Sequence, residues 1–358
     1  MTTKKVIFTD SFNGNSYKKL LANANILITG GTGSFGQQCA AFLLTHCRPR
    51  RVVIFSRDEV KQHEMRERFS YFEGSVMRYF IGDVRDRERL YRAFRGVDFV
   101  VHAAALKQVV TAEYNPLEVI KTNVLGASNI IDAAIDCKVK KVIALSSDKA
   151  VNPVNLYGAT KLCADKLFVA AGVYDGPRDT RFAVVRYGNV IGSRGSVVPE
   201  FLGRRASGVL PITDPRMTRF WITLEQAVKF VAKSLAVMEG GEIFVPKIPS
   251  MRVVDLAQAI VPDCRHEIVG IRPGEKLHEV LLTEEEARRT IEFDDHYVIR
   301  PHAVRSDCNG DHLRSGRPVH EGFRYSSESN TDWLTTETLK QIISEDGRHF
   351  AAVQSAHH

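Results

Sequence analysis

Six short apolar runs, rich in β-branched residues, recur through the first half of the chain, at 25–29, 51–55, 77–81, 98–102, 141–145 and 181–187. Runs of four to seven apolar residues without polar alternation are the signature of strands buried on both faces, as in parallel sheets. Between them lie stretches with apolar residues at helical spacing, at 37–44, from about Asp86, at 116–134 and from Leu156 onward. Regular strand–helix alternation predicts an α/β fold built on a doubly wound parallel sheet. Such sheets bind ligands beyond the carboxyl ends of their strands. The alternation weakens between 189 and 217 and again after 248, which we assign to a smaller substrate-binding lobe, spanning 189–217 and 248–335. Residues 218–247, with a helix over 223–237, return to the main sheet, whose domain otherwise spans 25–188. Residues 336–358 form a C-terminal tail. Residues 1–24 form an N-terminal extension made basic by Lys4, Lys5, Lys18 and Lys19, with a turn at Asn13-Gly14-Asn15. It reads as a short hairpin or a docking arm.

Composition narrows the class. The chain has 358 residues, 44% of them hydrophobic and 25% charged, as in an ordinary globular protein with room for two lobes. Its net charge of +7 is scattered and forms no long basic tract, so it suits an anionic small ligand rather than nucleic acid. The six cysteines show no Cys-x-x-Cys pair and several lie in apolar helical contexts. They read as buried free thiols in a reducing compartment, and no metal site is expected. No apolar run reaches the ~20 residues of a membrane span, and the N-terminus lacks a signal-peptide core. The expectation is a cytoplasmic protein with no membrane partner.

The first strand runs into Gly30-Gly31-Thr32-Gly33-Ser34-Phe35-Gly36, and a helical pattern follows. Glycines there permit a tight turn, close approach of the backbone to a pyrophosphate, and close helix–strand packing. The following helix N-terminus offers N–H groups to phosphate. The second strand ends at Ser56-Arg57-Asp58-Glu59, about 20 residues on, where a dinucleotide's adenosine ribose is met. An acid there alone would favour NAD. Arg57, with Lys61 one turn further, favours the 2′-phosphate of NADP. Asp83 closes the third strand and either accepts from the adenine amino group or caps the next helix. Ala103 and Ala104 follow the fourth strand and let a flat cofactor approach the backbone. Lys107 is a candidate contact to phosphate or ribose.

The fifth strand opens into Ser146-Ser147-Asp148-Lys149, and a helix beginning near Leu156 carries Tyr157 and Lys161. Positions four apart share a helix face, so phenol and ammonium project together. A neighbouring cation lowers a phenol's pKa and makes it a base near neutral pH. Tyr-x-x-x-Lys arises often by chance, and the glycine turn upstream is what gives it weight. Asn189 and Arg194 lie past the end of the sixth strand. Arg272, beside Pro273-Gly274, stands on a rigid turn from which a guanidinium can grip a diphosphate bidentately.

These residues bring out a resemblance to the extended short-chain dehydrogenases/reductases acting on nucleotide sugars. It rests on 29–36 and Tyr157-x-x-x-Lys161. More narrowly the chain resembles the configuration-inverting UDP-N-acetylglucosamine 4,6-dehydratases of the pseudaminic acid pathway, which serves flagellin glycosylation. The motifs are His102-Ala-Ala-Ala-Leu-Lys107, Ser147-Asp-Lys-Ala150, Asn155-Leu-Tyr-Gly-Ala-Thr-Lys161, Gly192-Ser-Arg-Gly-Ser-Val-Val-Pro199, Met217-Thr-Arg-Phe-Trp-Ile222 and Gly270-Ile-Arg-Pro-Gly-Glu-Lys-Leu-His-Glu279. The basic arm departs from the family, whose chains start close to the first strand. Ser147 stands where threonine is frequent.

The resemblance implies a Rossmann domain binding NADP, a UDP-N-acetylglucosamine substrate, and a homo-oligomer. It implies Tyr157, Lys161 and Ser147 for oxidation at C4, Lys149 as the base at C5, and Asp148 as the acid for the C6 hydroxyl. Ser34, Phe35 and Asn123 join the cofactor set. Lys107, Asn189, Arg194, Val197, Arg219, Arg272 and Glu275 form the substrate set. Two other readings stay open. A UDP-sugar C4 or C5 epimerase would keep Tyr157 and Lys161 without needing an acid at C6. A non-catalytic NADP-responsive binding protein would need no turnover at all.

Overall fold

The computed structural model describes residues 16–174, 180–193, 196–301 and 311–344. Within these, β1 (Asn25–Thr29), β2 (Arg51–Ser56), β3 (Met77–Ile81), β4 (Phe99–His102), β5 (Lys141–Ser147) and β6 (Arg181–Tyr187) are all parallel. Their spatial order is β3-β2-β1-β4-β5-β6. Ile26, Leu27 and Ile28 are all fully buried although successive side chains face opposite sides of the sheet. Both faces are therefore covered. Helices Ser34–His46 and Leu224–Val237 pack together on one of them, and Arg87–Phe94, Gly126–Asp136 and Leu156–Tyr174 pack in succession on the other. The strand order reverses between β1 and β4. Loops leaving the two strands diverge there and open a crevice at their carboxyl ends.

The sheet extends further than its sequence pattern suggested. Ile243–Pro246 adds a parallel strand beside β6, and His296–Ile299, Thr290–Glu292 and Arg317–Pro318 continue it antiparallel. Thr290–Glu292, His296–Ile299 and Arg317–Pro318, assigned to the smaller lobe by sequence, thus form an edge of the main sheet. Strands of two to four residues are too short to display a period, so nothing in the pattern marked them.

A second core collects Ile191, Val198, Phe201, Leu210, Ile212, Trp221, Met251 and Leu256. The strand Thr218–Ile222 lies between the two cores. Phe220 and Ile222 belong to the main core and Trp221 to the second, as alternation along a strand dictates. Its neighbours are Asn189–Val190 and Ser250–Arg252. At the other end of the chain, Ser16–Leu21 is a helix that buries Tyr17 and Leu21, with the Tyr17 ring 5.7 Å from that of Phe42. The end of the extension is thus a docked helix; residues 1–15, including the expected turn, lie outside the described residues. The expected helix over 116–134 is Pro116–Ile120 and Gly126–Asp136, joined by a π-turn at Lys121–Leu125 that carries Asn123. No helix among the described residues is long and apolar enough to cross a membrane.

Among the glycines of the first turn, Gly36 is the most tightly confined. A Cβ there would lie 2.5 Å from both the Cα and the carbonyl oxygen of Gly31. Gly36→Ala must lift the helix from β1, and we expect a loss of about 1–3 kcal/mol, the usual cost of overpacking. Urea unfolding measures it; wild-type stability in the variant would refute the contact.

Candidate active site

The site is built where β5 ends. Ser147 accepts the Lys149 backbone N–H at 3.0 Å and so caps the single 3₁₀ turn Asp148–Ala150. Asn155 caps the next helix by accepting the Gly158 N–H at 2.7 Å. Gly158 lies so close to the turn that a Cβ would fall 2.1 Å from the Lys149 carbonyl oxygen. This contact brings Tyr157, 8% exposed, beside Ser147, whose hydroxyl opposes the burial-driven rise of the phenol's pKa.

Five charged side chains converge on the same spot. Asp148 is 1% exposed. Its Oδ1 accepts from the Ser147 hydroxyl at 2.8 Å and from Lys149 Nζ at 3.2 Å, while Oδ2 has no hydrogen-bond partner among the described residues. Lys149 Nζ also lies 3.5 Å from Glu279 Oε1. Arg219 and Lys276 approach Glu279 from the other side, at 3.9 and 3.4 Å. Burial alone would lower the Lys149 pKa, but the Asp148 and Glu279 carboxylates outweigh it and hold it above an ordinary lysine's. Lys149 therefore rests as an ammonium.

The helix spacing singled out Lys161 as the cation acting on Tyr157. The structure differs. Lys161 Nζ donates to the Leu145 carbonyl, and the cation that opposes the burial-driven rise of the Tyr157 pKa is Lys149. Lys161 is itself lowered by burial, against the pull of Asp165 one turn on.

A cavity of about 710 Å³ runs from this spot to the glycine turn. Gly30, Gly33, Ser34, Phe35 and Gly36 line one end, Arg57, Lys61 and Asp83 the next, and Ala103, Ala104, Lys107, Tyr157 and Lys161 its floor. Among the described residues no side chain caps helix Ser34–His46, which begins at Gly33, so its leading N–H groups face the cavity as a phosphate would need. The donor set thus fits a dinucleotide. Asn123 is not brought to the cavity. It clamps Leu106, accepting its N–H and donating to its carbonyl, both at 2.9 Å, and holds the loop from behind. Asp86, not Asp83, caps the helix Arg87–Phe94; Asp83 accepts from Arg85 and lies 3.6 Å from Arg57.

A smaller cavity of about 220 Å³ adjoins the first and shares Lys149, Asn189 and Val197 with it. Arg219, Arg272 and Glu275 line it. Arg272 is exposed at its mouth. Arg219 is buried, and its terminal nitrogens donate to the carbonyls of Thr218, Leu277 and Lys276 and to Met217 Sδ, so much of it supports the loop rather than reaching outward. Arg194 lies outside the described residues.

Sequence reasoning gave no role to Glu279, Lys276, Asp165 or Arg186. Asp165 accepts from Ser146 at 2.8 Å and faces Arg186 at 3.5 Å, and Arg186 pairs with Glu286 at 3.0 Å, all beneath the floor of the site. Asp165 had a signal, since it follows Tyr157 and Lys161 at the same helical interval. His102, also unassigned, exchanges a hydrogen bond with Thr29 at 2.8 Å and is pushed down to about 3 by burial and by Lys161, so it stays neutral.

A doubly wound sheet with a glycine turn at its switch point, and Ser, Tyr and Lys gathered at the end of β5, define the class of short-chain dehydrogenases/reductases. Residues 26–301 match the polysaccharide biosynthesis protein family, and the chain belongs to it. It is 56% identical over 326 residues to the UDP-N-acetylglucosamine 4,6-dehydratase (inverting) of Campylobacter jejuni, covering 89% of this chain and 97% of that one. It is 40% identical over 339 residues to the UDP-glucose 4-epimerase of Rickettsia conorii, covering 90% and 96%. Among solved structures it is similar to Pen from Bacillus thuringiensis, with a TM-score of 0.82, 35% identity, and 91% and 99% coverage. A dTDP-glucose 4,6-dehydratase from Streptomyces venezuelae, at 23% identity and a TM-score of 0.62, shares the fold.

The Gly158 contact supplies a test of the site's geometry. Gly158→Ala must displace the turn that carries Asp148 and Lys149, and a displacement near 1 Å costs on the order of 100-fold in rate. We expect that loss in turnover with thermal stability reduced far less steeply; full activity would show that the turn need not sit where it does.

Proposed function

We propose that this chain is an NADP-dependent UDP-N-acetylglucosamine 4,6-dehydratase that inverts C5. The observation that carries the reading is the Asp148–Lys149 pair, a second acid and base set 3.2 Å apart beside Tyr157 and Ser147. Oxidation and reduction at C4 alone would need only the hydroxyls.

A bound nicotinamide cofactor supplies the hydride acceptor at C4 and later the donor to C6. Ser147 holds the C4 oxygen and Tyr157 takes its proton as the ketone forms. The Lys149 charge favours ionised Tyr157 at this stage. The new ketone acidifies the C5 proton, but an ammonium cannot take it. Lys149 must first pass a proton to Asp148, which leaves an amine and a carboxylic acid without changing the pair's net charge. The amine then takes the C5 proton, the C5–H electrons become the C5–C6 double bond, and Asp148 protonates the departing C6 hydroxyl through its unpartnered oxygen. The pair ends as it began. Return of the hydride to C6 and addition of a solvent proton to the opposite face of C5, as Tyr157 gives the C4 proton up to solvent, would complete the inverted 6-deoxy-4-keto sugar. Arg272 grips the diphosphate at the mouth of the smaller cavity.

The engagement of Asp58 supports NADP. Its side chain caps the helix Glu59–Arg68 by accepting the Lys61 N–H at 3.0 Å, and it also ion-pairs with the Lys61 ammonium. It is occupied where an NAD site would offer an acid to the ribose hydroxyls, and the half-exposed Arg57 guanidinium remains beside it. Arg57→Ala should weaken NADP binding at least tenfold more than NAD binding, as isothermal titration would measure. Equal losses would remove the argument.

NMR of the products from UDP-N-acetylglucosamine tests the reading itself. A C6 methyl beside a C4 ketone or its hydrate supports a dehydratase. A product that keeps its C6 hydroxyl supports an epimerase, the activity named for the Rickettsia relative, and no turnover supports a binding protein. Lys149→Met should still oxidise C4 yet stop there, with reduced cofactor absorbance accumulating and no solvent deuterium entering C5. Formation of the deuterated 6-deoxy product by that variant would exclude Lys149 as the base.

A further inference from the structure

Glu279 is the carboxylate beside Lys149 that the proposed steps leave without a task. It is 2% exposed, and its backbone is fixed by Ser327, whose hydroxyl accepts the Glu279 N–H at 2.9 Å while its own N–H donates to the Glu279 carbonyl at 2.8 Å. Its side chain is held less tightly. Oε2 has no hydrogen-bond partner among the described residues, and the three cations around it stand at 3.4 Å (Lys276), 3.5 Å (Lys149) and 3.9 Å (Arg219). Arg219 already spends both terminal nitrogens on carbonyls and Met217 Sδ, and Lys276 Nζ donates to the Val151 carbonyl at 2.6 Å. A buried carboxylate short of close partners is costly for a merely structural group.

We propose that Glu279 is a positioning residue for the elimination step, clamping Lys149 against Asp148 and stabilising the ammonium that re-forms when Lys149 takes the C5 proton. The inference rests on Lys149 being that base. The logic follows from charge. When the Lys149 proton sits on Asp148, Lys149 is an uncharged amine and Asp148 no longer holds it electrostatically. Glu279 takes no part in that transfer and lies on the Lys149 side of the pair. It keeps the amine in place, and its charge is worth most as positive charge returns to Lys149, which is the interaction that lowers a barrier. Tyr157 and Arg219 also face Lys149: Arg219 works against its charge, and the Tyr157 phenol favours it when ionised.

Removing the charge has a directional consequence for pH. Glu279 and Asp148 together raise the Lys149 pKa, so without Glu279 it falls. The pair then loses its shared proton at lower pH, and the alkaline limb of the elimination rate moves down. Glu279→Gln should therefore slow elimination roughly 100-fold, the low end of a positioned acid–base contribution. C4 oxidation, read as single-turnover cofactor reduction, should change less than threefold. Elimination should also fall off on the alkaline side at a pH where the wild type is still level. Glu279→Asp keeps the charge one methylene back, so it should recover part of the rate and restore the wild-type alkaline limb. Wild-type elimination in Glu279→Gln, equal loss of oxidation and elimination, or an unmoved alkaline limb would each overturn the proposal. If Glu279→Gln fails to fold, Glu279→Asp decides: elimination slowed with oxidation intact supports the clamp, and elimination at the wild-type rate overturns it. A wild-type enzyme that leaves the C6 hydroxyl in place would instead sink the dehydratase reading, so the two failures are distinguishable.

Discussion

Burying the Lys149 ammonium between Asp148 and Glu279 ties the two halves of the molecule together. Each buried ion forfeits several kcal/mol of hydration, which only close counter-charges and hydrogen bonds offset. No single element carries enough of them. Asp148 and Lys149 come from the end of β5, Arg219 from the strand between the two cores, and Lys276 and Glu279 from the loop past Arg272. Lys276 closes the arrangement by donating to the Val151 carbonyl at 2.6 Å. The loop with the exposed guanidinium is thereby latched to the turn with the acid and the base. In the proposed mechanism, seating of a diphosphate and placement of Lys149 are therefore mechanically linked through a few side chains.

A second charged network lies under the first and sets the floor on which it rests. Tyr157, Lys161 and Asp165 occupy one face of helix Leu156–Tyr174 at intervals of four. Asp165 is raised by burial and restrained by Arg186, Lys161 and the Ser146 hydroxyl. Arg186 in turn reaches Glu286, the residue that completes the capping box of helix Glu284–Ala287 with Thr283. Helix, central strands and the edge of the sheet are joined by groups that would each be costly alone. The charge on Lys161 depends on this support, since burial works against it.

The parallel body of the fold was legible in the sequence because it repeats. Six apolar runs and the helical stretches between them have periods long enough to read, and the glycine turn must follow β1 for the helix to pack at Gly36. Most residues expected to meet a cofactor line one cavity, since they sit at fixed offsets from strand ends. What escaped was non-periodic or distant. The edge strands near 290–318 are too short to show alternation. Asn123 looked like a cofactor contact and, from within the π-turn, clamps Leu106. Glu279 lies 130 residues from Lys149 in the chain, and only the closure of the smaller lobe sets them 3.5 Å apart.

One misreading has mechanistic weight. Helical spacing made Lys161 the natural partner of Tyr157, yet Lys161 turns to the Leu145 carbonyl and Lys149 is the cation that acts on the phenol. In the proposed mechanism a single charge then serves two bases at different times. While Lys149 is an ammonium it favours ionised Tyr157, the form that accepts the C4 proton. Once that proton is on Tyr157 the phenol no longer needs the cation, and Lys149 can give its own proton to Asp148 without opposing it. In the reverse order, an early amine at Lys149 would leave Tyr157 a weaker acid and delay oxidation. The C5 proton is not acidic until C4 is a ketone. The electrostatics of the pair and the chemistry of the sugar therefore impose the same sequence of steps, and both act through the position of one proton on Lys149.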